Sequence, residues 1–168
     1  MVTRPQSGRM RHFLIGTVRA KGETMKRLAV AIAILTAGCA SRPEAFRVSG
    51  FEPDELEQLQ SAADEWCNAT GGAYCPSLSG GENTVELVPE LSNGAGARYA
   101  LTGGKGRVWI ADRSDNADWL RLLRRSFLHE LGHNAGCRSH GPDGTVMAEA
   151  EGSEPDHLTA SDVQCANQ

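Results

Sequence analysis

The chain of 168 residues is enough for one domain, and its formal net charge of −4 conceals a division. Residues 1–39 carry seven bases against the single acid Glu23, whereas residues 40–168 carry 10 bases and 20 acids. An acidic domain repels polyanions, which argues against nucleic acid as a partner.

Residues 1–24 show neither a signal nor a domain pattern and read as an extension upstream of a true start at Met25. Met25-Lys26-Arg27 precedes an apolar run, Leu28 to Leu35, that is too short to span a bilayer. A basic start, a short apolar stretch and the small residues of Thr36-Ala37-Gly38-Cys39 describe a secretory signal over 25–39. The ending resembles a bacterial lipobox, whose cysteine is lipidated and becomes the new N-terminus, although Thr36 stands where Leu is usual. Cys39 is therefore expected to carry a lipid anchor, the chain's one tie to a membrane. Ala40 and Ser41 are compatible with the outer membrane. The protein is expected to be exported, as a cell-envelope lipoprotein or in secreted form.

Residues 40–50 read as a tether to a domain at 51–168. Apart from Cys39 there are four cysteines, Cys67, Cys75, Cys137 and Cys165, which allow three pairings. Proximity in sequence favours Cys67 with Cys75, leaving Cys137 with Cys165, and export supplies the oxidising compartment.

Pro53 opens a helical pattern in which Leu56, Leu59, Ala62, Ala63 and Trp66 recur at helical spacing. Asp54, Glu55 and Glu57 load its first turn with the charge that the helix dipole favours, and Gly71-Gly72 ends it. Residues 84–88 are a strand candidate and 98–102 a second. Gly103 to Gly106 form a turn, and 107–111 is the strongest strand pattern of all. Asn116 can cap a helix running through Trp119, Leu122, Leu123, Phe127 and Leu131, whose broad apolar arc predicts a largely buried element. Gly136 can turn the chain out of that helix with positive φ. Residues 159–162, TASD, form a capping-box pattern for a short final helix.

The chemistry lies at residues 129–140, HELGHNAGCRSH, which hold three of the five histidines. His129 and His133 are four apart and project from one helix face, as two nitrogen ligands for one zinc ion must. Glu130 sits about 100° round from His129, where it can reach a metal-activated water instead of the metal. Zinc hydrolases use three protein ligands and an open position, with a carboxylate as general base. His140 is the nearest third ligand, and His157 is the reserve.

With HExxHxxGxx followed by histidine, and then Thr145-Val146-Met147, the chain resembles the metzincin clan of zinc endopeptidases, its matrixin-like members in particular. The resemblance implies an α+β, zincin-like fold: a small twisted mixed sheet on two main helices, the active-site helix leading to a methionine turn and a short C-terminal helix. It implies one catalytic Zn2+ held by His129, His133 and His140, Glu130 as general base, and Met147 as an apolar floor. It also implies a protein or peptide substrate. That substrate is expected to lie extended along an edge strand at 107–111. In the clan pattern the third histidine would fall at Ser139, so His140 comes one residue late. A Cys137–Cys165 bridge would pin this loop to the last helix. Tyr74 and Tyr99 are candidates to polarise an oxyanion. The chain reads as a monomer. The alternatives are a catalytically silent or zinc-stabilised envelope lipoprotein acting as a binding module, and a zinc amidase acting on cell-wall peptides.

Overall fold

The computed structural model describes residues 44–92, 94–149 and 155–166. The upstream extension, the signal with Cys39 and the first part of the tether lie outside the described residues. The elements in chain order are β1 (Phe46–Ser49), α1 (Pro53–Ala69), β2 (Asn83–Val88), β3 (Ala97–Thr102), β4 (Lys105–Ala111), α2 (Trp119–Asn134) and α3 (Ala160–Ala166). The strands form one sheet in the order β1-β2-β4-β3. β1, β2 and β4 are parallel neighbours, and β3 returns antiparallel on β4. Among the described residues, four strands and three helices thus make a mixed α+β domain. No helix among the described residues is long and apolar enough to cross a membrane.

Two expectations are corrected. Residues 46–49 are not a tether: Phe46 to Ser49 pair with Asn83 to Glu86 and complete the sheet. Phe46 is fully buried and meets Phe127 edge to face, with ring centroids 6.3 Å apart. Nor is 107–111 an edge. β4 lies between β2 and β3, and burial of Val108 and Ile110 gives it the strong apolar pattern. β3 is the free edge beside α2, and its milder, half-exposed sequence ARYALT suits that position.

One core unites Val85, Val108 and Ile110 of the sheet with Leu59 and Trp66 of α1 and Leu123, Phe127 and Leu131 of α2. Two tryptophans lock the helices together as their indoles are buried. Trp66 Nε1 donates to the Leu128 carbonyl at 2.9 Å, and Trp119 Nε1 donates to Glu55 Oε1 at 2.5 Å. The other oxygen of Glu55 accepts the Glu52 N–H at 2.8 Å at the start of α1. Asn116 does not cap α2 as expected. Its Oδ1 accepts the Asp118 N–H at 2.8 Å, and the helix begins after Asp118. Arg124 joins α2 to Glu65 of α1 and to the Asp156 carbonyl.

Glu55 therefore serves a helix start and a buried indole with one carboxylate. Glu55→Ala removes the cap and leaves the Trp119 N–H unpaired, an expected cost of about 2–3 kcal/mol. Urea unfolding monitored by tryptophan fluorescence reads this as a lower midpoint, whereas an unchanged midpoint would show that the contact contributes nothing.

Candidate metal centre

Helical geometry brings His129 and His133 together on α2, with ring centroids 4.9 Å apart. Gly136, at φ +111, turns the chain away after the helix, as its position predicts. The loop then carries His140 back, with its ring 5.2 Å from that of His129 and 5.3 Å from that of His133. The ligand atoms of the trio all lie within 4.8 Å of one another. The extra residue before His140 is absorbed in this loop, which closes on the following turn when the Gly141 N–H donates to the Met147 carbonyl at 2.7 Å. His157 is not part of the cluster. It is exposed, and its Nδ1 lies 3.4 Å from Glu65 Oε2.

Backbone carbonyls orient the two helical imidazoles. His129 Nδ1 lies 2.8 Å from the Val146 carbonyl oxygen, and His133 Nδ1 lies 2.8 Å from that of Cys137. A carbonyl oxygen only accepts, so each Nδ1 carries a proton, and in the neutral ring it is then Nε2 that has the lone pair for a metal. Both carbonyls are themselves held from α3. Asp162, 1% exposed, accepts the Met147 N–H at 3.0 Å, the Val146 N–H at 3.3 Å, and the Thr159 N–H and hydroxyl at 2.8 and 2.7 Å. Cys165 of α3 is disulfide-bonded to Cys137, the residue whose carbonyl meets His133. The second bridge joins Cys67 to Cys75, so the pairing favoured by proximity is the one present. Met147 is buried against α2 at Gly132, where an added Cβ would run into the methionine sulfur. Glycine at 132 is thus what admits the methionine.

The trio faces a cleft of about 560 Å³ between the start of β3, α2 and residues 146–149. Glu130 lines this cleft and is 5% exposed. Burial pushes its carboxyl from the ordinary 4.5 up to about 8. Burial also holds the His129 imidazole below its ordinary value. The neighbouring His133 and His140 act in the same direction, against the Val146 carbonyl. A neutral imidazole is the form that binds metal. Tyr99 of the edge strand stacks on His133, with ring centroids 6.2 Å apart and planes 23° from parallel. The Tyr74 hydroxyl donates to Asn134 Oδ1 at 2.8 Å, and Asn134 Nδ2 donates to the Tyr99 oxygen at 3.4 Å. Both tyrosines thus adjoin the helix end that carries His133. Burial raises the Tyr74 hydroxyl well above its ordinary value, with Glu44 and Tyr99 adding to the effect. The reach of Asp162 to residues 146–147 escaped the sequence reading. The TASD pattern signalled a cap, and a cap does not disclose a second, distant partner.

The donor set fits zinc. Three imidazoles with an acidic residue beside them match an open tetrahedral site. Tetrahedral zinc holds its ligand nitrogens about 3.3 Å apart, so a trio within 4.8 Å needs to close by at most about 1.5 Å.

No protein-family model matches the chain, and no curated protein matches it. Among solved structures, archaemetzincin from Methanopyrus kandleri is similar over 77% of this chain and 96% of its own, with a TM-score of 0.53 and 13% identity. The fold is accordingly zincin-like, shared with a protein whose name comes from the clan that the sequence resembles.

The raised Glu130 pKa has a sign that can be checked in the metal-free protein. The protonated form favours the fold. That contribution is complete below about pH 4.5 and is lost as pH rises through about 8. Relative to Glu130→Gln, wild type is expected to lose stability across this window, by on the order of a few kcal/mol at its upper end. Thermal melts in chelator at several pH values measure the difference, and a gap that does not vary with pH would contradict the burial argument.

Proposed function

We propose that this protein is an exported zinc-dependent endopeptidase of matrixin-like type. His129, His133 and His140 would hold one ion. A zinc ion held there supplies Lewis acidity, which polarises a carbonyl and lowers the pKa of water. Glu130 accepts the proton that the attacking water gives up and passes it to the leaving amine nitrogen. Positive charge beside this buried carboxyl would favour its ionised form, offsetting the effect of burial. Residues 145–147 act as the methionine turn, with Met147 as an apolar floor.

The substrate is a protein or peptide in extended form. β3 offers it a free edge along the cleft, where backbone N–H and C=O groups can extend the sheet by one strand. Tyr99, on this edge and stacked on His133, stands where strand pairing and metal ligation meet. The signal-like segment and Cys39 support export with a lipid anchor in the cell envelope. The chain is proposed to act as a monomer.

One observation carries this reading: three imidazoles converge, two of them with Nδ1 already engaged, next to a buried glutamate that no ligand role requires. A binding module that used zinc only as a strut would need no such carboxylate and commonly a fourth protein ligand. The late third histidine favours that alternative, whereas the presence of His140 in the cluster supports the catalytic reading.

The zinc-loaded protein should cleave an unstructured protein such as casein. Glu130→Gln should keep the zinc and lose about 10²–10⁴-fold in rate, as expected for a missing proton-transfer group. His140→Ala should lose the zinc. Metal content by atomic absorption, read beside cleavage by mass spectrometry, tests both. Cleavage by Glu130→Gln at the wild-type rate would remove the proposed base.

A further inference from the structure

We propose that Tyr99 is a positioning residue for the metal centre: its ring fixes the plane of the His133 imidazole, and a chain of hydrogen bonds from Tyr74 through Asn134 fixes Tyr99. This rests on the zinc reading above. The Cys137 carbonyl holds one atom of the His133 ring, Nδ1. A single hydrogen bond leaves the ring some freedom to tilt about it, and the direction of Nε2 tilts with the ring. A flat neighbour restricts that motion. The Tyr99 and His133 centroids are 6.2 Å apart with planes 23° from parallel, within the range of attractive, offset aromatic pairs.

Tyr99 pairs with Val108 across β3 and β4, so the two share the sheet face that packs on the core. Its hydroxyl oxygen accepts from Asn134 Nδ2 at 3.4 Å, and Asn134 Oδ1 accepts from the Tyr74 hydroxyl at 2.8 Å. One amide, at the end of α2 and next in sequence to His133, thereby joins two phenols. Gly106 of β4 makes room for this meeting. A Cβ there would fall 2.7 Å from Asn134 Nδ2 and 3.1 Å from Tyr99 Cε2. No positive φ calls for glycine at 106, so space is what it supplies. Tyr74 is held in turn. Its ring meets Trp66 edge to face with centroids 5.9 Å apart, its N–H donates to Thr70 Oγ1 at 3.1 Å, and the next residue, Cys75, is bridged to Cys67 of α1. The Cys67–Cys75 bridge thus braces His133 from the Tyr99 side, as Cys137–Cys165 does from the carbonyl side.

Two readouts test this. Competition with a chelating dye measures zinc affinity, and proton–nitrogen NMR of the metal-free protein follows the Nδ1–H signals of His133 and His129. His129 is the internal control, since the Val146 carbonyl holds it from another segment. Tyr99→Leu is expected to weaken zinc binding by about tenfold, and to broaden the His133 signal while the His129 signal stays sharp. Tyr99→Phe keeps the ring and loses the bond from Asn134, and Asn134→Ala removes the same bond from the other end. Each is expected to weaken zinc binding by about threefold, and the two combined by no more than the larger single loss. Should Tyr99→Leu not fold, this pair carries the test. Wild-type zinc affinity in Tyr99→Leu, equal broadening of both histidines, or additive losses in the pair overturns the proposal while leaving the zinc reading intact. If wild type binds no zinc, the zinc reading fails and the NMR decides: broadening confined to His133 supports the positioning role, and an unaltered His133 signal overturns it.

Discussion

The site depends on one constraint: the Nδ1 of each helical histidine is bound to a backbone carbonyl that α3 holds in place. Without the Val146 and Cys137 carbonyls, the imidazoles could rotate or exchange tautomers, and no fixed pair of Nε2 lone pairs would exist. Asp162 holds the N–H groups of Val146 and Met147, and the Cys137–Cys165 bridge holds the other segment. A final helix of seven residues, with little of its own to stabilise it, is thereby the keystone of the histidine geometry. Its buried carboxylate is tolerated because its hydrogen bonds compensate for lost hydration.

The same architecture explains how a buried acid and three imidazoles coexist. Burial favours the neutral forms of Glu130 and His129 in the metal-free cleft. A divalent ion would change that balance at the end of a shaped cleft already walled by the sheet edge. Tyr99 connects the two parts: it belongs to the free strand and stacks on the His133 imidazole. Strand topology, more than any single side chain, thus relates where a peptide could lie to where its bond would be attacked.

What the sequence disclosed follows from how local each feature is. His129, Glu130 and His133 were legible because helix geometry is fixed within a turn, and Gly136 because positive φ favours glycine. The α+β, zincin-like character was readable from the helical and strand patterns with the motif. The edge strand was misplaced for a physical reason. Burial makes a strand apolar, so Arg107 to Ala111 looked strongest because it is interior, and the half-exposed edge Ala97 to Thr102 looked weak. β1 reads as tether in the sequence because four residues carry little periodicity and gain their pairing only from β2, far along the chain. Glu55 with Trp119, and Asp162 with residues 146–147, join partners too distant for any spacing rule.

X-ray absorption at the zinc edge, on protein loaded with one equivalent of zinc, tests the central claim most directly. The account expects three nitrogen neighbours at about 2.0–2.1 Å with one further light ligand, and one nitrogen fewer, or no bound zinc, in His140→Ala. Sulfur neighbours, or a spectrum and zinc affinity unaltered by His140→Ala, would contradict it.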